Sequence, residues 1–163
     1  MKTLSNDNDA AVRASAYDNM WVFEKQDFDV ILRNAVVCEK DGTARSYAIC
    51  SLYDLYSENS CDTAGLIAFM HKLYRTEKDR RCKLQYLRNF YLSGETDKLS
   101  EIIGYLEDND YRMRITVVNT ISEMLNKENK EVLLSVAKKR LKSEKSVAVK
   151  ASLEKFVSDA EYM

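Results

Sequence analysis

Small and apolar side chains recur at helical spacing in five segments of this chain, each aligned on a basic residue. The five basic residues stand 32, 38, 31 and 36 positions apart, at Arg13, Arg45, Lys83, Arg114 and Lys150. The positions one before, three after and seven after each of them are small, apolar or aromatic, a spacing that defines one buried stripe on a helix. The pattern predicts five helices, near residues 10–24, 42–57, 80–93, 110–126 and 147–160.

A capping residue stands four positions before each basic residue. These residues are Asp9, Asp41, Asp79, Asp110 and Ser146. Aspartate and serine side chains accept hydrogen bonds from the unpaired N–H groups of a helix's first turn, and an acidic side chain also complements the positive end of the helix dipole. We therefore expect each of the five helices to begin just after its capping residue.

A further amphipathic segment precedes four of these helices, so each repeat is a pair made of a first and a second helix. The four segments are Phe28–Val37, Ala64–Tyr74, Leu99–Leu106 and Glu131–Leu141. With one leading helix, the chain is predicted to contain about nine helices in a single repeat domain over residues 1–163. Proline is absent and glycine occurs only four times, whereas a β-protein of this size would need more turn residues. The fold class is predicted to be all-α.

The repeated columns resemble the HEAT repeat, in particular the bacterial lyase-like HEAT subfamily. The best matches to the family's second helix are Asp9-Ala-Ala-Val-Arg13 and Asp110-Tyr-Arg-Met-Arg114. The resemblance covers nearly the whole chain, and it implies a right-handed α-solenoid whose second helices line the concave binding face. Lysine at positions 83 and 150, serine at position 146 and the missing proline depart from the family pattern. These departures put in doubt a continuous Asp–Arg ladder between repeats.

Composition and motifs argue against catalysis and against a general nucleic-acid binder. The net charge is −1, so the basic excess of such a binder is missing. The four cysteines lie too far apart for a zinc motif, and His71 is the only histidine, so we expect free thiols and no metal. No phosphate-binding loop or catalytic motif is present, and no cofactor is expected. The polar N-terminus and the absence of long apolar windows predict a cytoplasmic protein without membrane spans.

The candidate binding site is the polar face of the second helices, opposite the buried stripe. Its predicted partner-binding residues are Asp18, Tyr47, Asp54, Gln85, Arg88, Asn89, Thr116, Asn119 and Glu123. A second candidate is the basic turn Lys72–Arg88, which holds seven Lys or Arg and two acidic residues and could hold phosphates or an acidic partner. The sequence alone does not decide between these two surfaces.

The predicted function is a non-enzymatic scaffold that binds a protein partner. The resemblance to short bacterial repeat proteins suggests an immunity protein that neutralises a toxin, and the acidic N-terminal part could face a basic toxin such as a nuclease. The alternative is a nucleic-acid-binding protein similar to the HEAT-like alkylpurine DNA glycosylases, which would need basic residues along the second-helix face. A bilin lyase is suggested only by the subfamily. The identity of the partner and the oligomeric state stay open.

Overall fold

The computed structural model describes all residues, 1–163, and the chain is 75% helical without strands. Three 3-10 helices, at Leu4–Asn6, Met20–Val22 and Tyr105–Glu107, accompany nine α-helices. The α-helices are α1 (Ala10–Asp18), α2 (Lys25–Cys38), α3 (Gly42–Glu58), α4 (Ala64–Tyr74), α5 (Arg80–Leu92), α6 (Lys98–Gly104), α7 (Tyr111–Glu123), α8 (Lys130–Ser143) and α9 (Val147–Tyr162). The all-α fold class and the nine helices are confirmed.

The five second helices, α1, α3, α5, α7 and α9, begin within one residue of their predicted starts. The predicted extension of the leading helix to residue 24 is wrong, because α1 ends at Asp18. Asn19 closes the helix: its side-chain amide donates to the Ser15 carbonyl at 2.8 Å, and its backbone N–H donates to the Ala16 carbonyl at 3.4 Å. The chain then continues into the 3-10 helix Met20–Val22 and an extended Phe23.

Four of the five predicted capping residues perform that role. Asp9, Asp41, Asp79 and Asp110 each accept a hydrogen bond from a backbone N–H in the first turn of the helix that follows. Ser146 makes no such bond to the first turn of α9. A loss of one of these aspartate caps is expected to cost about 1 kcal/mol of unfolding free energy.

The predicted stripe on the second helices forms the core. All of its fifteen positions are buried except Val12 and Val157, which are half-buried. Phe90 and Tyr86 are among the largest fully buried side chains. Helical periodicity at these columns was therefore a sound guide to burial, because each column faces a neighbouring helix in the same way.

The chain divides into two compact units, residues 1–94 and 95–163. In the first unit the second helices α1, α3 and α5 pack side by side in chain order, α2 packs against α3, and α4 packs against α5. In the second unit α7 packs against α9, α8 packs against α9, and α6 contacts α7. The organisation as one repeat domain over residues 1–163 stays a prediction.

In the first unit, arginines of the basic column tie each repeat to the next one. Arg13 forks onto Glu39 with N–O distances of 2.7 and 2.9 Å, and Arg45 forks onto Glu77 with distances of 3.1 and 3.0 Å. The third nitrogen of each guanidinium donates to carbonyls of its own turn, Asp7 and Asn8 for Arg13 and Glu39 and Lys40 for Arg45. Two-point pairing of this kind fixes both distance and orientation.

The second unit repeats the arrangement in its most buried form. Arg114 forks onto Glu144 with both N–O distances at 2.8 Å, and the side chain of Glu144 is 0% exposed. The carboxylate also accepts from Arg140 and from the backbone N–H groups of Lys145 and Ser146. Hydrogen bonds from these groups, Arg114 first, hold the pKa of Glu144 far below its usual range.

Gly42, the first residue of α3, has a steric reason to lack a side chain. A Cβ built there would overlap the Asp79 carboxylate and would lie 3.0 Å from the Arg81 guanidinium. Asp79 caps α5 and pairs with Arg81 at 2.9 Å, so it cannot move away freely.

None of the helices combines the length and the apolar character that a membrane span requires.

Candidate functional site

In the first unit, the second-helix face carries a polar network that joins α3 to α5. The Arg88 guanidinium on α5 pairs with both oxygens of Asp54 on α3, at 3.0 and 3.3 Å, and also donates to the Asn89 side chain at 3.1 Å. Asn89 in turn donates to the Ile49 carbonyl at 2.9 Å. The network fixes the Asp54 carboxylate, which keeps 23% of its side-chain surface exposed.

Asp18 on α1 lies near enough to this network to feel the charge of Asp54, but it is not bonded to it. Partial burial, followed by the negative charge of Asp54, raises the pKa of Asp18. Arg88 is engaged with Asp54, while Asp18 has no hydrogen-bond or ion-pair partner of its own. The structure therefore brings together two of the predicted carboxylates and leaves one of them available to a cation.

Tyr47 and Gln85 occupy the same column of α3 and α5, two residues after the basic position. Tyr47 is 41% exposed and Gln85 is half-buried. The side-chain oxygen of Gln85 is buried and accepts no hydrogen bond. The exposed Tyr47 phenol therefore gives this part of the face a group that can donate and accept hydrogen bonds, whereas the buried Gln85 oxygen is not exposed to a partner.

Two predicted binding residues do not lie on the exposed face. Asn89 is 0% exposed and Arg88 is 7% exposed, so these two side chains offer a partner almost no surface, and their predicted role in binding stays a prediction. Their polar groups form hydrogen bonds between α3 and α5. The type of residue at these positions does not indicate such bonds. Of the other predicted residues in the first unit, Asp18 and Tyr47 are exposed, while Asp54 and Gln85 are half-buried.

In the second unit, the corresponding face belongs to α7 and α9. Asn119 and Glu123 are exposed, while Thr116 is half-buried and donates back to the Arg112 carbonyl at 3.0 Å. A depression of about 210 Å³ lies between the two helices. Its lining includes Asn119, Ser152, Lys155 and Asp159. The predicted Asn119 thus lies near one positively charged residue, Lys155, and one negatively charged residue, Asp159.

The basic turn Lys72–Arg88 is partly neutralised from within. Arg81 pairs with Asp79 and also donates to the Thr43 hydroxyl, and Arg88 pairs with Asp54. Lys83 lies 6.0 Å from the centre of the Tyr74 ring. The exposed cations Lys72, Arg75 and Lys78 keep the outer side of this turn positive.

The cysteines and the single histidine do not form a reactive cluster. The four cysteines are free, and burial raises the pKa of the Cys82 thiol to about 12. The His71 ring stacks on Phe90 with centroids 3.9 Å apart. No group of three or more His, Cys, Asp or Glu side chains is placed to hold a metal ion.

Sequence reasoning missed the acidic residues that pair with the arginines. They are Glu39, Glu77 and Glu144, and they belong to a column of acidic residues six positions before each basic residue, at Asp7, Glu39, Glu77, Asp108 and Glu144. An acidic residue in all five repeats was a visible signal. The capping residues stand two positions later, and residue type alone does not separate two acidic positions in the same turn.

No family model, no curated protein and no solved structure matched the chain. The resemblance to HEAT repeats therefore rests on the repeated residues of the chain itself.

Proposed function

We propose that this protein is a HEAT-like right-handed α-solenoid that binds a protein partner on its second-helix face and acts without catalysis. The support is the repeated helix pair, together with the side-by-side packing of α1, α3 and α5 in the first unit. Stacked repeats create an extended surface from local contacts, and such surfaces commonly serve binding.

The observation that carries the proposal is the polar face of the first unit. Asp18, Tyr47, Asp54 and Gln85 come from three successive helices, and the Arg88 network holds Asp54 in place. A carboxylate that is already fixed loses less conformational entropy when a partner binds. A tyrosine in such a position is typical of binding hot spots. The face therefore fits a folded protein with a basic, donor-rich surface.

The charge of this face bears on the class of partner. Asp18 and Asp54 are the acidic residues of this face, and its one basic residue, Arg88, is 7% exposed and paired. A nucleic-acid backbone would be repelled by such a face, which favours a protein partner. A basic toxin in a bacterial cytoplasm, neutralised by this protein, is the specific form of the proposal.

The proposal is tested by measuring affinity for the candidate partner, most directly a toxin encoded beside this protein. Tyr47→Ala and Asp18→Lys are expected to weaken binding at least about tenfold, as for residues at the centre of an interface. Val30→Ala and Glu24→Lys change an exposed residue of α2 and the exposed residue just before it, on a first helix and not on a second one, and serve as matched controls.

Only the face variants should lose affinity, with all four variants equally helical by circular dichroism. Equal losses in face and control variants would remove the second-helix face as the binding site. The absence of any complex at micromolar concentration would reject the immunity proposal.

A further inference from the structure

In the first unit, the turns that join a first helix to its second helix bury their acidic side chains and expose their basic ones. The carboxylates of the turns α2–α3 and α4–α5 point into the structure, where Glu39 and Glu77 keep only 5% and 11% of their side-chain surface exposed. Glu39 is paired with Arg13, and Glu77 is paired with Arg45. Asp41 and Asp79 are engaged as helix caps. The negative charge of these turns is thus neutralised from within.

The cations of the same turns, and Lys72 in the last turn of α4, point outward. Lys40, Lys72, Arg75 and Lys78 are exposed, and their side chains make no hydrogen bond or ion pair. Arg45 holds the two turns next to each other, because it donates to the Glu39 carbonyl at 2.6 Å and forks onto Glu77 in the following turn. The net charge of the sequence does not indicate this surface. It counts carboxylates such as those of Glu39 and Glu77, which are buried and do not contribute to the exposed surface.

We propose that this surface, the cationic turn edge formed by Lys40, Lys72, Arg75 and Lys78, binds an acidic segment of a partner protein. The edge is a second interaction surface, beyond the second-helix face. Exposed lysine and arginine side chains on two adjacent turns match a run of Asp and Glu side chains. The main effect of such complementarity is faster and salt-sensitive association.

Two features of the edge favour an acidic polypeptide over a nucleic acid. The first-turn N–H groups that commonly bind phosphate at helix N-termini are partly occupied, because Asp41 accepts from the N–H of Ala44 in α3 and Asp79 accepts from the N–H groups of Arg81 and Cys82 in α5. No exposed aromatic side chain lies between residues 39 and 43 or between residues 72 and 81, so the edge offers no stacking platform for single-stranded bases. Exposed lysine and arginine side chains without a set of backbone donors for phosphate are better suited to the carboxylates of a polypeptide than to the phosphates of a nucleic acid.

The test uses the full chain and a fluorescein-labelled, glutamate-rich peptide as the probe, followed by fluorescence anisotropy. Binding is expected at about 50 mM salt and should weaken strongly towards about 200 mM. The double variant Lys40→Glu/Lys78→Glu should lose about tenfold or more in affinity, because attraction becomes repulsion at two points of contact. The charge-matched control is Lys127→Glu/Lys130→Glu in the second unit.

Two results would overturn the proposal, provided that both variants keep the native circular dichroism spectrum. One is no binding of the peptide, or equal losses in the two double variants. The other is tighter binding of a DNA oligonucleotide of equal charge, with the same sensitivity to Lys40→Glu/Lys78→Glu. A tighter complex with the peptide, lost only in the Lys40→Glu/Lys78→Glu variant, supports the proposal. Neither result bears on Tyr47→Ala, so the two proposed surfaces are tested separately.

Discussion

Glu144 is the residue whose replacement most sharply tests how neighbouring repeats are held together. Its carboxylate accepts six hydrogen bonds, two each from Arg114, Arg140 and the backbone of the α8–α9 turn. Glu144→Gln keeps the shape of the side chain and one acceptor oxygen. It removes the negative charge and places an NH2 group against arginine donors.

The expected cost follows from burial. Arg114 is 8% exposed and Glu144 is 3% exposed, so the substitution leaves a buried guanidinium without its counterion. Breaking such a pair from one side costs about 3–5 kcal/mol of unfolding free energy. For a chain of this length, each kcal/mol lowers the melting temperature by about 2–4 °C.

The measurement is urea unfolding followed by far-ultraviolet circular dichroism. The matched control in the same unit is Asp97→Asn, which removes a 2.9 Å pair with Lys98 whose carboxylate is 73% exposed. Exposed pairs contribute little, so the control should leave the midpoint nearly unchanged. A Glu144→Gln midpoint no lower than that of Asp97→Asn would refute the claim that the buried Arg–Glu pair joins the two helix pairs.

Three further predictions follow from local geometry. Gly42→Ala should destabilise the protein by about 1–3 kcal/mol through steric overlap, whereas Gly65→Ala, where nothing lies within 4 Å, should be neutral or stabilising; thermal melts that rank the two variants the other way contradict this. The pairing with Arg13 lowers the pKa of Glu39 to about 2, so its contribution to stability is complete above its ordinary pKa of about 4.3 and is lost as the pH falls towards 2. The melting temperature should therefore fall more steeply with decreasing pH for the wild type than for Glu39→Gln. Parallel curves of melting temperature against pH would exclude the pair as a source of acid sensitivity. In a thiol-reagent assay Cys38, which is exposed, should react quickly and Cys82, which is buried, only on unfolding; fast labelling of Cys82 in the native protein would contradict its burial.

The helices could be predicted from the sequence because local rules agree with one another. Caps such as Asp41 and Asp79, the buried columns and the near absence of glycine all point to the same helix starts. The end of α1 was missed because the interruption depends on Asn19 bonding back to Ser15. Such a local choice competes almost equally with helix continuation.

The binding face was only partly predictable. Periodicity correctly placed Tyr47 and Asn119 on exposed helix surface, because it reports direction around the helix axis. It could not separate Arg88 and Asn89 from their exposed neighbours, because their burial depends on how closely α3 and α5 approach. A polar residue at the border of a helix contact is buried when a partner such as Asp54 satisfies it.

The proposal of a protein-binding face is tested most directly by site-specific photo-crosslinking in cells of the source organism. A photoreactive phenylalanine derivative replaces Tyr47 in one variant and Val30, which is 67% exposed on α2, in the other. The account predicts a discrete protein adduct from position 47 that is absent from position 30 and is lost when Asp18→Lys is added. No adduct at position 47, or the same adducts at both positions, would contradict the account.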